Sequence, residues 1–359
     1  MKVATSIVLG RQAQPALAAQ AVNNAMSKAG ITSANAVILL LTSEFASNPQ
    51  AAIKAAAKAA ACTQVTGCSA TGIFTEEDWV LDTPAAAAMV FGGDIKLELA
   101  RHNHNLQPLL TIAAPSAINS TWLDHHTRYG GISGDVTGQG PFSVWQNAKG
   151  DVTGHIEMFI SGVKMATQAA HGLSLLSPPK LIQTSQQFDV QQLGKHKALR
   201  SLQKAWDSYR KTPEPLPLHL IMAVYGDSEK AILQGNYHQT TIISCDEADG
   251  SVTLAHTLPV GQYLSWALRD ANSAQADMLL ATDALSTALG STPDFGLLFS
   301  CLGRGPYLYD GEDLDLKVVT KRFPNMPLLG FYGNGEIACI NGQNQLLPYS
   351  TVLSLFSAL

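Results

Sequence analysis

Two cysteines, an arginine and a glutamate stand where this sequence can do chemistry. Cys68 lies in Gly67-Cys68-Ser69-Ala70-Thr71-Gly72, and Cys301 and Arg304 lie in Phe299-Ser300-Cys301-Leu302-Gly303-Arg304-Gly305. Glu336 follows Gly330-Phe331-Tyr332-Gly333-Asn334-Gly335. A catalytic thiol needs a base and an electropositive surround. Arg304, three residues after Cys301, is placed to lower that thiol's pKa, but no histidine lies near either cysteine in sequence. A thiol of this kind is more commonly buried and inert. The Ser69 surround, Gly67-x-Ser69-x-x-Gly72, is not the Gly-x-Ser-x-Gly elbow of hydrolases. Arg304 and Glu336 either pair with each other across two turns or present charge to a small polar ligand. In the second case the guanidinium forks onto a carboxylate and the acid takes an ammonium or another donor. An amino-acid-like ligand satisfies both.

Metal chemistry has less support. His102, His104, His125 and His126 fall in or near polar stretches, and His-x-His and His-His are weak spacings without accompanying ligands, so they read as surface histidines. The five cysteines, Cys62, Cys68, Cys245, Cys301 and Cys339, show no Cys-x-x-Cys spacing, which excludes a zinc ribbon and a thioredoxin-type motif.

The elements that must position these groups recur. Residues 37–43 are an apolar run, residues 48–61 an alanine-rich helix, and residues 65–66 a short strand ending in the Gly67–Gly72 turn. Residues 296–300 are again apolar, followed by a turn at 301–305, a polar segment, a second run at 326–329 and a turn at 330–335. Gly67 and Gly72 are five apart, as are Gly330 and Gly335, which predicts two halves on one plan. Glycines after strands let a ligand or another backbone come close, or simply serve tight turns.

Along the chain, residues 3–9 read as a strand and 15–29 as a helix, with Pro15 in its first turn and Gly30 as its stop. Asn48 is the expected cap of the next helix, whose solvent side carries Lys54 and Lys58. Strands are expected at 85–91 and 106–113. Residues 122–140, with Gly131 and Asp135, form a glycine-rich rim or connector. A hairpin of 142–146 with 152–161 follows, then strands at 163–169 and 180–189 and an amphipathic helix at 199–210. Three prolines, Pro213, Pro215 and Pro217, cannot continue that helix and predict a stiff linker. The expected domains are 1–210 and 218–359, joined by 211–217. Beyond the linker we expect strands at 218–225, 240–245 and 252–258, helices at 261–276 and 284–289, and a last strand at 351–356. Tyr332 either lines a pocket or fills a core, and Tyr349 fills a core. Meander strands amid βα units predict a mixed α+β fold: two related halves with mixed β-sheets flanked by helices.

At these motifs the chain resembles the FIST proteins. The Gly67–Gly72 stretch is similar to the N-terminal signature. Phe299-Ser300-Cys301-x-x-Arg304-Gly305 and Gly330-Phe331-Tyr332-x-x-Gly335-Glu336-Ile337 are similar to the C-terminal ones, and Tyr129-Gly130-Gly131-Ile132-Ser133-Gly134-Asp135 and His171-Gly172 extend the likeness over nearly the whole chain. One departure is Ile73, where the N-terminal signature commonly carries Glu. The resemblance implies FIST N-terminal and C-terminal domains in a sensory input module for small molecules such as amino acids. It has no effector segment of its own and answers through a separate partner, a histidine kinase or a cyclic-dinucleotide enzyme. The ligand-facing residues are then Gly67, Cys68, Ser69, Gly131, Asp135, Cys301, Arg304, Gly305, Tyr332, Gly335 and Glu336. Some relatives are described as haem-binding nitric-oxide sensors. A haem here would be non-covalent, since Cys-x-x-Cys-His is lacking, with His171 its first candidate ligand. A cysteine-dependent enzyme using Cys301 or Cys68 is the remaining alternative.

Composition agrees with a large core. Charged residues are 14% of the chain, against roughly 25% in an average soluble protein, and hydrophobic residues 46%. A net charge of −5 argues against nucleic acid as a partner, and no Lys/Arg run offers itself to an anionic membrane. The N-terminus lacks a signal-peptide pattern and no segment is apolar for about 18 residues, so a cytoplasmic protein is expected.

Overall fold

Residues 2–92 build a unit that the chain then repeats. A computed structural model describes residues 2–102, 106–118, 122, 124–151, 153–235 and 237–359; His104 and Val152 lie outside the described residues. The unit consists of β1 (Lys2–Leu9), α1 (Pro15–Ala29), β2 (Ala36–Thr42), α2 (Gln50–Ala60), β3 (Val65–Ala70), a hairpin of β4 (Gly72–Thr75) and β5 (Trp79–Leu81), and β6 (Ala85–Gly92). Pro15 opens α1, and Gly30, left-handed at φ 63°, closes it. The residue before α2 is Pro49, not the expected Asn48, and it makes no side-chain cap bond. The strands run β1-β6-β2-β3, with β2 and β3 parallel across the α2 connection. Every residue of β2 is buried, because helices cover one face and the core the other.

The next stretch repeats the strands. It contains β7 (Lys96–Leu99), β8 (Leu109–Ala113), β9 (Arg128–Ile132), a hairpin of β10 (Val144–Gln146) and β11 (Lys149–Gly150), and β12 (His155–Ser161), in the order β7-β12-β8-β9. The expected rim at 122–140 is therefore partly a buried strand. A third copy opens with β13 (Val163–Ala170) and is then interrupted.

The interruption is a compact unit of its own, Gly172–Ala276. It holds β14 (Leu173–Leu175), β15 (Lys180–Gln186), β16 (Asp189–Leu193), β17 (His196–Lys197), α3 (Ala198–Tyr209), β18 (Ile221–Gly226), α4 (Glu229–Leu233), β19 (His238–Cys245), β20 (Val252–Leu254) and β21 (Tyr263–Arg269). Strands β18, β19, β20, β16, β15 and β21 close into a barrel, since β21 pairs back onto β18. Its core includes Ile182, Val252 and Trp266 with Leu202 and Trp206 of α3. One expectation is corrected here. The helix expected at 261–276 is a strand over Tyr263–Arg269, where pairing on both edges outweighs its leucine- and alanine-rich composition. The proline-rich stretch 211–217 lies inside this unit, so compactness does not divide the chain there.

The third copy resumes through α5 (Ala271–Leu289), β22 (Phe295–Cys301), α6 (Gly305–Leu308), α7 (Leu314–Arg322), β23 (Leu328–Gly333), a hairpin of β24 (Glu336–Ile340) and β25 (Gln343–Leu347), and β26 (Thr351–Ala358). Its order, β13-β26-β22-β23, is that of the other two. The hairpins are exchanged in a cycle: β4–β5 extends the third sheet beside β23, β24–β25 the second beside β9, and β10–β11 the first beside β3. The registers superpose. Leu39, Thr111 and Leu298 lie opposite Gly67, Gly130 and Gly330 on the parallel neighbour. A Cβ at those glycines would fall 1.8, 1.8 and 2.0 Å from the facing carbonyl oxygens, so no other residue fits. Ile38, Leu110 and Leu297, with Leu40, Ile112 and Phe299, point inward to one core. The fold is mixed α+β with helices flanking sheets. The two halves expected from the glycine spacing are two of three copies, and Gly67 and Gly330 lie within strands rather than turns.

Candidate functional site

At the end of β22 the chain buries a cluster of ionisable side chains. Arg304, immediately before α6, is wholly out of solvent. Its Nε and Nη2 fork onto Asp315 at 2.7 and 3.2 Å, and its Nη1 donates to the Ala170 carbonyl at 2.7 Å. The Tyr309 hydroxyl donates to the same Asp315 at 2.8 Å. Burial opposes the guanidinium charge, and Asp315 overrides it. Asp313 caps α7, accepting the Leu316 N–H at 2.8 Å and the Tyr332 hydroxyl at 2.5 Å. Burial, helped by the neighbouring Asp315, pushes Asp313 up to about 6.

Glu336 is 1% exposed and accepts one N–H, that of Ser350, at a long 3.3 Å. Ser350 Oγ lies 3.2 Å from Nδ1 of the half-buried His171. Burial holds the Glu336 carboxyl well above the usual carboxylate range, and the nearby Arg304 charge only partly offsets this. The fold makes the position unusual. Glu336 stands opposite Gly131, as Ile73 stands opposite Phe331 and Val144 opposite Cys68. Ile73 and Val144 are core residues, so the third copy carries an acid where its sisters carry aliphatics. The Ile73 departure and Glu336 are thus the same position in two copies.

The nominated residues separate into groups. Cys301, Arg304, Gly305, Tyr332 and Glu336 belong to the two strand ends that carry the cluster. The expectation that Arg304 offers its fork to a ligand is corrected: Asp315 and Ala170 occupy it. Gly305 (φ 42°) packs on the Tyr332 ring, and Tyr332 is core, 4.8 Å from Phe74. Gly335 (φ 130°) gives its carbonyl to the Ile132 N–H at 2.8 Å. Cys301 is buried at the last position of β22. Cys68 is inside β3 rather than after it, and complete burial drives its thiol far above the ordinary cysteine value. Ser69 ties β3 to the loop before β10 by accepting the Ser143 N–H at 3.0 Å. Gly131 leaves room for the Phe331 ring, 2.8 Å from where a Cβ would be. Asp135 organises its own loop through Thr137, Gly138 and Gly140. Tyr349 is half-buried rather than core, His102 and His125 are exposed and His126 half-buried. Among the described residues no group of three or more His, Cys, Asp or Glu is placed to hold a metal. Sequence reasoning passed over Tyr309, Asp313 and Asp315 as one polar segment. An aspartate just before the periodic run 314–322 is a helix-cap signal that marks Asp313.

Comparison with known proteins agrees with these motifs. Residues 198–339 match the family model described as the FIST C domain, from α3 of the interposed unit to β24 of the third copy. An uncharacterized protein of Mycobacterium tuberculosis is 30% identical over 123 residues, 34% of this chain and 32% of its own length. An uncharacterized protein of Mycobacterium bovis is 24% identical over 206 residues, 57% of this chain and 53% of its own. F-box only protein 22 of Homo sapiens is 44% identical over 45 residues, 12% and 11% of the two chains. The chain thus spans from about a tenth to about half the length of these relatives. No helix among the described residues is long and apolar enough to cross a membrane.

Proposed function

We propose, from a chain that carries a FIST C domain over residues 198–339 and so shares in a sensory domain family, that it is a non-catalytic sensor of a small polar molecule bearing an ammonium group. One observation carries this reading: Glu336, a carboxyl that burial holds above the usual carboxylate range and that has a single long hydrogen bond, stands at a core position its sister copies fill with Ile73 and Val144. A buried acid lowers stability and is retained where it has a task. Around it the cluster holds three carboxyls, Asp313, Asp315 and Glu336, against one guanidinium, Arg304. An arriving ammonium would let Glu336 ionise. His171, Leu302, Gly303 and Tyr349, next to the cluster in sequence, are half-buried. The carboxylate half of an amino-acid ligand is not assigned to Arg304. A sensory part needs an output, and a histidine kinase or a cyclic-dinucleotide enzyme is the class of partner the family resemblance favours.

The reading is tested by calorimetric titration with the common L-amino acids and simple amines in two buffers of different ionisation enthalpy. Saturable binding that releases a proton, with the release lost in Glu336→Gln, is the expected result. Absence of binding, or binding unchanged in Glu336→Gln, overturns it.

A further inference from the structure

The three copies diverge on the outer faces of their sheets and agree on the inner ones. Outside, Val65 and Leu328, Leu39 and Leu298, and Ala88 and Leu353 are pairs of equivalent positions, all buried under helices. The middle copy has Arg128, Thr111 and Glu157 at those three positions, and Arg128 Nε donates to Glu157 at 2.6 Å. Inside, the central strand of each copy turns only apolar side chains to its sisters. Ile38, Leu110 and Leu297 are one set of equivalent positions, and Leu40, Ile112 and Phe299 are a second.

The two sets meet around a cavity, and Leu329 and Gly330 of β23 complete its lining. The centre of a water-sized sphere has about 10 Å³ to move in there, about the room that one very small molecule needs. The six side chains keep 1–3% of their surface exposed, although they belong to the central core. Their outward neighbours Leu39, Thr111 and Leu298 keep 2% less or better, since Thr111 and Leu298 are at 0% and Leu39 is at 0% as well. The residual surface of the inner residues is therefore the wall of this cavity. Threefold repetition explains why it stays open. Branched side chains that advance from three equivalent strands fill the space between them only if one copy breaks the pattern. Phe299, the largest of the six, is the one able to do so. Its ring instead packs edge-to-face on Phe331 of its own copy, with 5.4 Å between centroids.

What the wall lacks decides the occupant. Among the described residues it carries no polar or charged side chain. Gly330 is paired on both edges, with β22 and β4, so its backbone groups face those neighbours. A water inside would find no partner for its hydrogen bonds, and apolar cavities of this kind stay dry. An ion or a strong dipole would lose its hydration without compensation. A non-polar molecule gains by leaving water, and it restores to the lining the dispersion contacts that empty space denies it. The room is far below what benzene requires. We propose that the meeting point of the three copies is a binding site for a small non-polar molecule of dioxygen size. The site is distinct from the ionisable cluster around Glu336 and does not depend on the ammonium reading.

The test is NMR of the full chain with methyl-labelled isoleucine and leucine, first under rising xenon pressure and then under dioxygen. Xenon should shift the methyl signals of Ile38, Leu110 and Ile112 saturably, and dioxygen should broaden the same signals. Ile112→Phe, which repeats in the middle copy the ring found at Phe299, should fill the space and weaken xenon binding about tenfold or more. Phe299→Leu, which copies Leu40, should enlarge the space, strengthen xenon binding and admit benzene, which the parent excludes. Absence of any response of these methyls to both gases overturns the proposal, as does a folded Ile112→Phe chain that binds xenon as well as the parent. Should Ile112→Phe fail to fold, a Phe299→Leu chain that takes up neither more xenon nor any benzene overturns it.

Discussion

Glu336 and Ile73 occupy one position in two copies of one fold, each a hairpin residue set against the strand of another copy. Ile73 fills the core, and Glu336 brings a carboxyl into the same kind of place. Glu336→Ile, which restores the sister arrangement, should stabilise the chain by about 1–4 kcal/mol at pH 7 in urea unfolding. A loss of stability instead would mean that the acid holds the fold together.

Arg304 and Asp315 form a buried pair whose members are each 1% exposed at the side chain. Arg304→Ala strands the Asp315 charge and should cost about 3–5 kcal/mol, with Arg304→Lys recovering little because it cannot fork. The double change Arg304→Met with Asp315→Leu should recover most of the loss. If Arg304→Ala leaves the unfolding midpoint in place, the guanidinium is not structural.

Asp313 gives a stability profile with a definite sign. Its folded pKa, about 6, lies above its ordinary 3.8, so its contribution is complete below the ordinary value and is lost as pH rises to about 6. The full loss is about 3 kcal/mol. Asp124 and Glu157, both held down to about 2, act in the opposite direction below pH 4. The measurement is therefore the difference between the wild type and Asp313→Asn, which keeps an oxygen to cap α7. That difference should favour the wild type more at pH 4 than at pH 7, and a flat difference would count against the assignment.

The three inner glycines predict a common failure. Alanine at Gly67, Gly130 or Gly330 would press a methyl into the carbonyl of Leu39, Thr111 or Leu298, which is backbone and cannot move aside. Each substitution should cost about 4 kcal/mol or more and deplete soluble protein. Alanine at Gly93, left-handed but with open space around it, should cost far less. Comparable melting curves for Gly67→Ala and Gly93→Ala would contradict the close strand approach.

Much of the first copy was legible because its signals are local. Pro15 and Gly30 bound α1, and the unbroken aliphatics of β2 can only be buried on both faces. The α5 region and β21 were misread because strand pairing, not local composition, decides the state of Tyr263–Arg269. The middle copy was hidden for a similar reason. Its sisters announce themselves by α-helices, whereas the middle copy has no α-helix among its described residues and carries Arg128 and Glu157 where the others have aliphatics.

The residue order alone determined the glycine-punctuated strands, the mixed α+β class and the kinship carried by the motifs at Cys301, Arg304 and Gly330–Glu336, because these depend on backbone freedom and on periodicity within a few residues. Only the tertiary structure decided that Arg304 belongs to Asp315, that Glu336 sits in a core position shared with Ile73 and Val144, and that Arg128, Thr111 and Glu157 replace a helix-packing surface. Hairpins exchanged between copies bring together residues as far apart as Gly131 and Glu336, and the fate of a charge is set by whichever distant groups surround it once water has been removed.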